Sequence, residues 1–397
     1  MNNLNYLNKQ LSTIDWNFSN YTNEGLNSFH WYPATFISAI PGTIIPIMTK
    51  ENDIVLDTFC GTSVTGYETI RLGRKYIGFD NNPIAILISK AKLLFPETGT
   101  LYGIFEEIFK DPFLTNRNFK NHPNEVFLKK WYHSETYSEL NMILSIIRSI
   151  SNPILQIPAQ AVFSSILKKT SSQGKHWGWV CDNVVPKPDE IIYKNVIEIF
   201  NKALKAYCNY VDETLIAIKQ RNGNPDRKDI RQKWNIECTD TITSLSKMPE
   251  DEIDLILTSP PYYGVADYVK AQRLSFLWFH EDVLKVEGYG YSDFENLRKK
   301  ETGARSKRYN IQSFVDYMKY MESYISDSFK VLKPNGFLVL IIGDSKARSE
   351  TLKLIDDSAV KTGFRIEFEF ERQIRESRRR LMAKVEKETV KVFSKNV

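Results

Sequence analysis

Residues 53 to 80 constrain the fold more than any other part of the chain: DIVLD, a short turn, SVTGYETIRLG and KYIGFD occur there in that order. The outer runs are short and apolar, and the middle run has helical spacing and stops at Gly73, a residue type that ends helices without steric cost. Strand, helix and strand within about thirty residues make a βαβ unit, which commits the chain to a parallel sheet. The pattern returns far downstream, where WNIEC (234–238), DLILTS (254–259) and GFLVLIIGD (336–344) read as three more apolar strands. Before the last of them, Val315, Met318, Met321, Ile325, Phe329 and Leu332 recur every three or four residues, the stripe of a helix packed on a sheet. Pro334-Asn335-Gly336 then turns that helix into the strand. Near the end of the chain the pattern shifts to alternation. Ile366, Phe368 and Phe370 alternate with glutamates, and VKVF alternates again, as antiparallel strands do. The expected fold class is α/β, a mostly parallel sheet closed by a C-terminal antiparallel hairpin.

Residues 101–233 interrupt this sheet. Ile191 to Gln220 spells one long helix, started at Pro188-Asp189 and ended by Asn222-Gly223-Asn224-Pro225, with Val196, Phe200, Leu204, Tyr207 and Val211 on one face. The expected organisation is one domain built from residues 1–100 and 234–397, with a largely helical inserted domain at 101–233. A chain of 397 residues that is 42% apolar has core enough for both parts. No run approaches the roughly 18 to 20 apolar residues of a membrane span, and MNNLNYLNKQLSTIDW lacks the plan of an export signal. The chain therefore reads as cytoplasmic, with no membrane partner. Cys60, Cys181, Cys208 and Cys238 form no CxxC pair, and His122, His133, His176 and His280 share no ligand spacing, so neither a disulfide nor a metal is expected.

Ligands of open parallel sheets sit beyond the carboxyl ends of the strands, which makes DTFCGTSVTG (57–66) a natural binding turn. Gly61 lets backbone approach a ligand, and the helix that follows offers free N–H groups to an anion. The second strand ends in Asp80-Asn81-Asn82-Pro83, and Asp80 comes twenty-three positions after Asp57. A carboxylate there can accept from both hydroxyls of a ribose, or can simply cap the next helix. A P-loop is excluded, because GxxxxGK[ST] is absent.

LILTSPPYYG (255–264) ends an apolar strand in Thr258-Ser259, two prolines and two tyrosines. A tight loop with packed tyrosines would read the same way in isolation. Together with the turn at 57–66, the stretch resembles the exocyclic-amine DNA methyltransferases, which use S-adenosylmethionine and carry [DNS]-P-P-[YFW] at the end of the fourth strand. Ser259-Pro260-Pro261-Tyr262 fits that motif without a gap. DTFCG resembles the family's cofactor loop, FDNNP the acidic end of its second strand, and FHWYPATF (29–36) the segment that helps hold the methionine part. The likeness covers residues 28–98 and 234–345 and does not extend to the insert.

The resemblance implies a Rossmann-like methyltransferase fold with S-adenosylmethionine as cofactor. It assigns cofactor contacts to His30, Thr35, Asp57, Phe59, Gly61, Thr62, Ser63, Asp80, Asn81 and Asp240. Glycine often stands in the family where this chain has Ser63, and Asp240 either accepts from the cofactor's adenine amine or starts a turn. Catalysis falls to Ser259, Pro260, Pro261 and Tyr262. An exocyclic amine is a poor nucleophile because its lone pair is delocalised into the ring. Ser259 Oγ and the Pro260 carbonyl can accept its two hydrogens and free that lone pair, the prolines stiffen the turn, and Tyr262 can stack on a base turned out of the duplex. Methylation of the cytosine ring carbon needs a Pro-Cys pair, which this sequence lacks. Serine in first position leans toward N4 of cytosine, whereas the order cofactor loop, insert, catalytic motif is often met in adenine enzymes, so the base stays open with cytosine ahead.

A net charge of +5 says little about partners, but its distribution says more. With a nucleic-acid substrate accepted, Lys168, Lys169 and Lys175 in the insert, and Arg305, Lys307, Arg308, Arg378, Arg379 and Arg380 toward the end, become expected backbone contacts. The expected partner is double-stranded DNA, read by the insert as a target-recognition domain, in restriction-modification or phage defence beside a cognate endonuclease. Methylation of an RNA base amine, and a DNA-binding subunit without catalysis, are the rival expectations.

Overall fold

The computed structural model of the chain describes residues 2–111, 119–173, 185–279, 294–343, 348–374 and 387–395. Seven strands form one sheet: β1 (Ile54–Asp57), β2 (Lys75–Asp80), β3 (Trp234–Cys238), β4 (Ile253–Thr258), β5 (Leu332–Gly343), β6 (Arg365–Gln373) and β7 (Lys387–Ser394). Their order is β3-β2-β1-β4-β5-β7-β6; β1 to β5 pair in parallel, and β7 lies antiparallel between β5 and β6. This is the mostly parallel, Rossmann-like sheet with an antiparallel C-terminal pair that the strand pattern predicts. β4 ends at Thr258, one residue before a serine and two prolines that offer the ladder no donor.

The helices among the described residues include eleven that frame the sheet or follow from it. They are α1 (Asn2–Ser12), α2 (Ala39–Met48), α3 (Val64–Arg71), α4 (Pro83–Leu93), α5 (Thr98–Phe109), α6 (Ser134–Ser149), α7 (Pro153–Thr170), α8 (Val196–Arg221), α9 (Thr241–Leu245), α10 (Ile311–Val331) and α11 (Thr351–Thr362). Alternate strand residues face opposite layers, as they must in a doubly covered sheet. Val55, Leu255, Leu257 and Val339 pack with Ile40 and Ile44 of α2, whereas Leu56, Ile256, Leu338 and Leu340 pack with Met321 and Ile325 of α10.

The helices between β2 and β3 are fused to the sheet. Ile84 and Ile88 of α4 share one hydrophobic cluster with Phe163 of α7 and Phe200 and Leu204 of α8, and the Tyr207 hydroxyl donates to the Ala91 carbonyl at 2.7 Å. The described helices between β2 and β3 thus continue the core of the sheet. The long helix starts at Val196, later than its apolar pattern suggests, because Asn195 caps it by accepting from the Glu198 N–H at 3.0 Å. Among the described residues no helix is long and apolar enough to cross a membrane.

Candidate active site

A cavity of about 930 Å³, counting its open mouth, lies at the carboxyl ends of β1, β2 and β4. Thr35 reaches it from the segment before α2, Phe59, Gly61 and Thr62 from the turn after β1, and Asp80 and Asn81 from the end of β2. Ser259, Pro261 and Tyr262 reach it from the turn after β4. Two left-handed residues, Gly61 (φ 49°) and Ser63 (φ 51°), bend the chain sharply from β1 into α3. The Ser63 side chain is buried on the far side of that bend and its Oγ meets the Tyr76 hydroxyl at 3.1 Å.

Asp80 organises the cofactor side of the cavity. Its Oδ2 accepts from the Gly61 N–H at 2.9 Å and its Oδ1 from the Asn82 N–H at 2.8 Å, so one carboxylate fixes both the turn after β1 and the start of α4. Burial pushes its pKa up to about 6, against the pull of those backbone donors. Asp57 lies beneath the wall: its Oδ1 accepts from Thr258 Oγ1 at 2.6 Å and ties β1 to β4, and burial pushes it up to about 7. His30 is also off the wall. Its Nε2 meets Ser164 Oγ of α7 at 2.8 Å and its Nδ1 the Trp31 carbonyl at 2.7 Å, and burial lowers its pKa to about 4, which leaves the ring neutral at pH 7. Asp240 caps α9 by accepting from the Thr243 N–H at 3.0 Å, and its other oxygen accepts from the Tyr320 hydroxyl at 3.4 Å. Tyr320, not Asp240, lines the cavity.

On the catalytic side, Ser259 Oγ donates to the Tyr262 hydroxyl at 3.1 Å, and that hydroxyl donates to Glu388 Oε1 at 3.3 Å. The Pro261 carbonyl accepts from Tyr317 at 3.1 Å, and Pro260 is not on the lining. The turn is braced from outside: the Gly264 N–H donates to the Gly303 carbonyl at 2.7 Å and the Arg305 N–H to the Ala266 carbonyl at 3.1 Å. Glu301 accepts from the N–H groups of Tyr268 and Val269, and burial pushes it up to about 7. Glu301, Tyr268, Tyr32 and Tyr320 all line the cavity, yet motif reading did not single them out. Tyr32 at least sits inside FHWYPATF (29–36); the others carry no local signal and arrive through packing.

The basic residues fall at different distances from this cavity. Lys168 lies over the Trp31 ring at 5.1 Å, next in sequence to the cavity residue Tyr32, and Lys169 is exposed at the end of α7. Arg305 is exposed, Arg308 stacks over Tyr309 at 4.4 Å, and both follow the cavity residues Glu301 and Thr302. Lys307 turns inward, donating to the carbonyls of Lys299 and Glu301. Lys175, Arg378, Arg379 and Arg380 lie outside the described residues. Among the described residues no group of three or more His, Cys, Asp or Glu side chains is placed to hold a metal ion.

A DNA methylase family profile matches residues 3–91 and 253–397, so the helical segment falls outside it. The Type II methyltransferase M.MvaI of Kocuria varians is 26% identical over 271 residues, 65% of this chain and 58% of that protein. M2.LlaDCHI of Lactococcus lactis subsp. cremoris is 44% identical over 61 residues, 15% of this chain and 22% of that one. M.PvuII of Proteus hauseri is 31% identical over 85 residues, 21% and 25% of the two chains. The chain therefore spans less than two thirds of the length of each of these relatives. A solved Thermus thermophilus protein complexed with S-adenosyl-L-methionine aligns with 39% of this chain and 53% of its own at 16% identity and a TM-score of 0.24.

Proposed function

The chain belongs to the DNA methylase family, whose profile spans both halves of its sheet, and on that premise we propose that it methylates the exocyclic amine of a base in double-stranded DNA, N4 of cytosine ahead of N6 of adenine. The observation that carries this reading is that Ser259, Pro261 and Tyr262 of the turn after β4 open onto the same cavity as Asp80. S-adenosylmethionine, the family's cofactor, supplies a methyl group activated on a sulfonium.

The cavity suits that cofactor. Asp80 keeps lone pairs for a ribose while holding the loop, Phe59 and Tyr320 offer flat apolar surface for a purine, and Thr35, Gly61 and Thr62 give polar contacts for the amino-acid end. Asp240 holds Tyr320 from behind, while Asp57, His30 and Ser63 lie off the wall and bond to Thr258, to Ser164 and the Trp31 carbonyl, and to Tyr76. At the other end, Ser259 Oγ on the lining would accept one amine hydrogen, and the carbonyl of Pro260, which lies off the lining, is proposed for the other, loosening the nitrogen lone pair from the ring. Rigid alignment supplies most of the expected rate, because the turn after β4 is stiffened by two prolines and braced by residues 301–305.

The helical segment at 101–233 is our candidate for target recognition, supported by Lys168 and Trp31 at the flank of the cavity. Restriction-modification or phage defence, beside a cognate endonuclease, is the setting proposed. The test is incubation with labelled S-adenosylmethionine and mixed-sequence duplex DNA, digestion to nucleosides and identification of the product by mass. N4-methylcytosine is expected, with Ser259→Ala retaining cofactor binding and losing transfer by roughly a hundredfold or more. N6-methyladenine would keep the chemistry and move the base; the absence of any methylated nucleoside from DNA would refute the reading.

A further inference from the structure

Ser259 is the first member of a buried chain of polar groups. Its hydroxyl donates to Tyr262 (3.1 Å), Tyr262 donates to Glu388 Oε1 (3.3 Å), and Glu388 Oε2 accepts from the Arg372 guanidinium (2.7 Å). Arg372 is anchored by donating through Nε to the Trp16 carbonyl at 3.0 Å. Tyr262, Glu388 and Arg372 are only 3%, 5% and 4% exposed, so water does not compete for these bonds. The sheet explains how a residue 126 positions beyond Tyr262 comes to meet it. β7 runs antiparallel to β5, so its first residues lie at the carboxyl end of β5, where Glu388 pairs with Gly343 on one side and with Arg372 of β6 on the other.

We infer that Glu388, held by Arg372, is a positioning residue that fixes the direction of the Ser259 and Tyr262 hydroxyls, so that Ser259 meets the target amine with lone pairs and never with its proton. The inference rests on the proposed role of Ser259 as acceptor for that amine. An ionised carboxylate can only accept. The Tyr262 proton is therefore drawn to Glu388, the phenol oxygen is left as an acceptor, and the Ser259 proton turns toward it. Both lone pairs of Ser259 Oγ then face the cavity. A serine freed from this chain could point its proton at the nitrogen lone pair, the orbital that has to attack. Arg372 makes the arrangement tolerable, since a buried carboxylate without a partner carries a heavy desolvation cost.

The test compares steady-state methyl transfer to DNA by the full chain and its Glu388→Gln, Tyr262→Phe and combined variants. Glutamine has the same shape but offers N–H as well as C=O, so it no longer dictates the direction. For each single variant kcat is expected to fall about tenfold, the equivalent of one directed hydrogen bond, with KM for DNA and the Kd for S-adenosylmethionine within about twofold of the parent. The combined variant is expected to be no slower than Tyr262→Phe alone, because the chain is already cut; a merely structural role would give additive losses. Should Glu388→Gln fail to fold around the unpaired guanidinium, Glu388→Gln/Arg372→Met, which removes both charges together, is compared with the parent and with its Tyr262→Phe derivative instead. An active parent with unchanged kcat in Glu388→Gln, or with additive losses, overturns the inference alone. A parent inactive on every DNA tested overturns the methyltransferase reading and this inference with it.

Discussion

Replacing Asp80 by alanine is expected to weaken S-adenosylmethionine binding about a hundredfold. The carboxylate stands on the cavity wall, and each oxygen already accepts one backbone N–H, from Gly61 at 2.9 Å and from Asn82 at 2.8 Å. A carboxylate has about four acceptor sites, so one remains on each oxygen for a ribose hydroxyl. Two charge-assisted bonds at about 1.5 kcal/mol each sum to about 3 kcal/mol, roughly two factors of ten in Kd. Asp80→Asn keeps one acceptor and loses the charge, so its loss should be about tenfold. The reasoning also fixes a pH dependence. Asp80 is pushed up to about 6 by burial, and only the ionised form accepts from both hydroxyls, so parent affinity should be full above about pH 7 and fall as pH drops through about 6. Asp57 beneath the wall and Glu301 on it, both pushed up to about 7, titrate nearby, and whatever slope survives in Asp80→Asn is their share. Calorimetric titration of the cofactor into parent, Asp80→Ala and Asp80→Asn across this range is the assay. An Asp80→Ala Kd within about threefold of the parent, or identical pH profiles for parent and Asp80→Asn, would sink the ribose assignment.

Gly66→Ala is expected to destabilise the chain by about 1–3 kcal/mol, because a Cβ there would stand 2.4 Å from the buried Tyr76 ring, and an unchanged denaturation midpoint would contradict this. If Arg305 and Arg308 touch DNA phosphates, each alanine variant should lower the salt slope of binding by about one and weaken all sequences alike, whereas a loss confined to one sequence would assign them to base reading. Lys307→Ala should instead lower stability, since its ammonium holds the carbonyls of Lys299 and Glu301 inside the loop.

What could be read from the sequence is what depends on neighbours along the chain. Apolar runs of strand length became β1 to β5, and the turns after β1, β2 and β4 converge on one cavity because a parallel sheet gathers its carboxyl ends on one edge. Features decided by packing were not readable. Periodicity carried the long helix back to Ile191, but the Asn195 cap decides where its backbone turns helical. The same holds for Tyr268 and Glu301, which enter the site because residues 301–305 bond to the turn after β4.

Arg372 and Glu388 lie between these cases. In β6, Arg372 shares parity with Phe368 and Phe370, whose rings lie 6.0 and 6.3 Å from that of Trp16; in β7, Glu388 shares parity with the buried Val390 and Val392. A charge on the apolar parity of a strand is a visible outlier, since burying it alone costs several kcal/mol. Each outlier was therefore open to detection, but their pairing was not. It depends on the register Arg372↔Glu388, and its nearness to Ser259 depends on β7 lying between β5 and β6. Had β6 been the strand next to β5, Glu388 would stand at the sheet edge instead of beside Gly343. The strand order that closes the sheet is thus the feature that brings a carboxylate from the end of the chain to the hydroxyl pair after β4, a connection that spacing along the sequence does not encode.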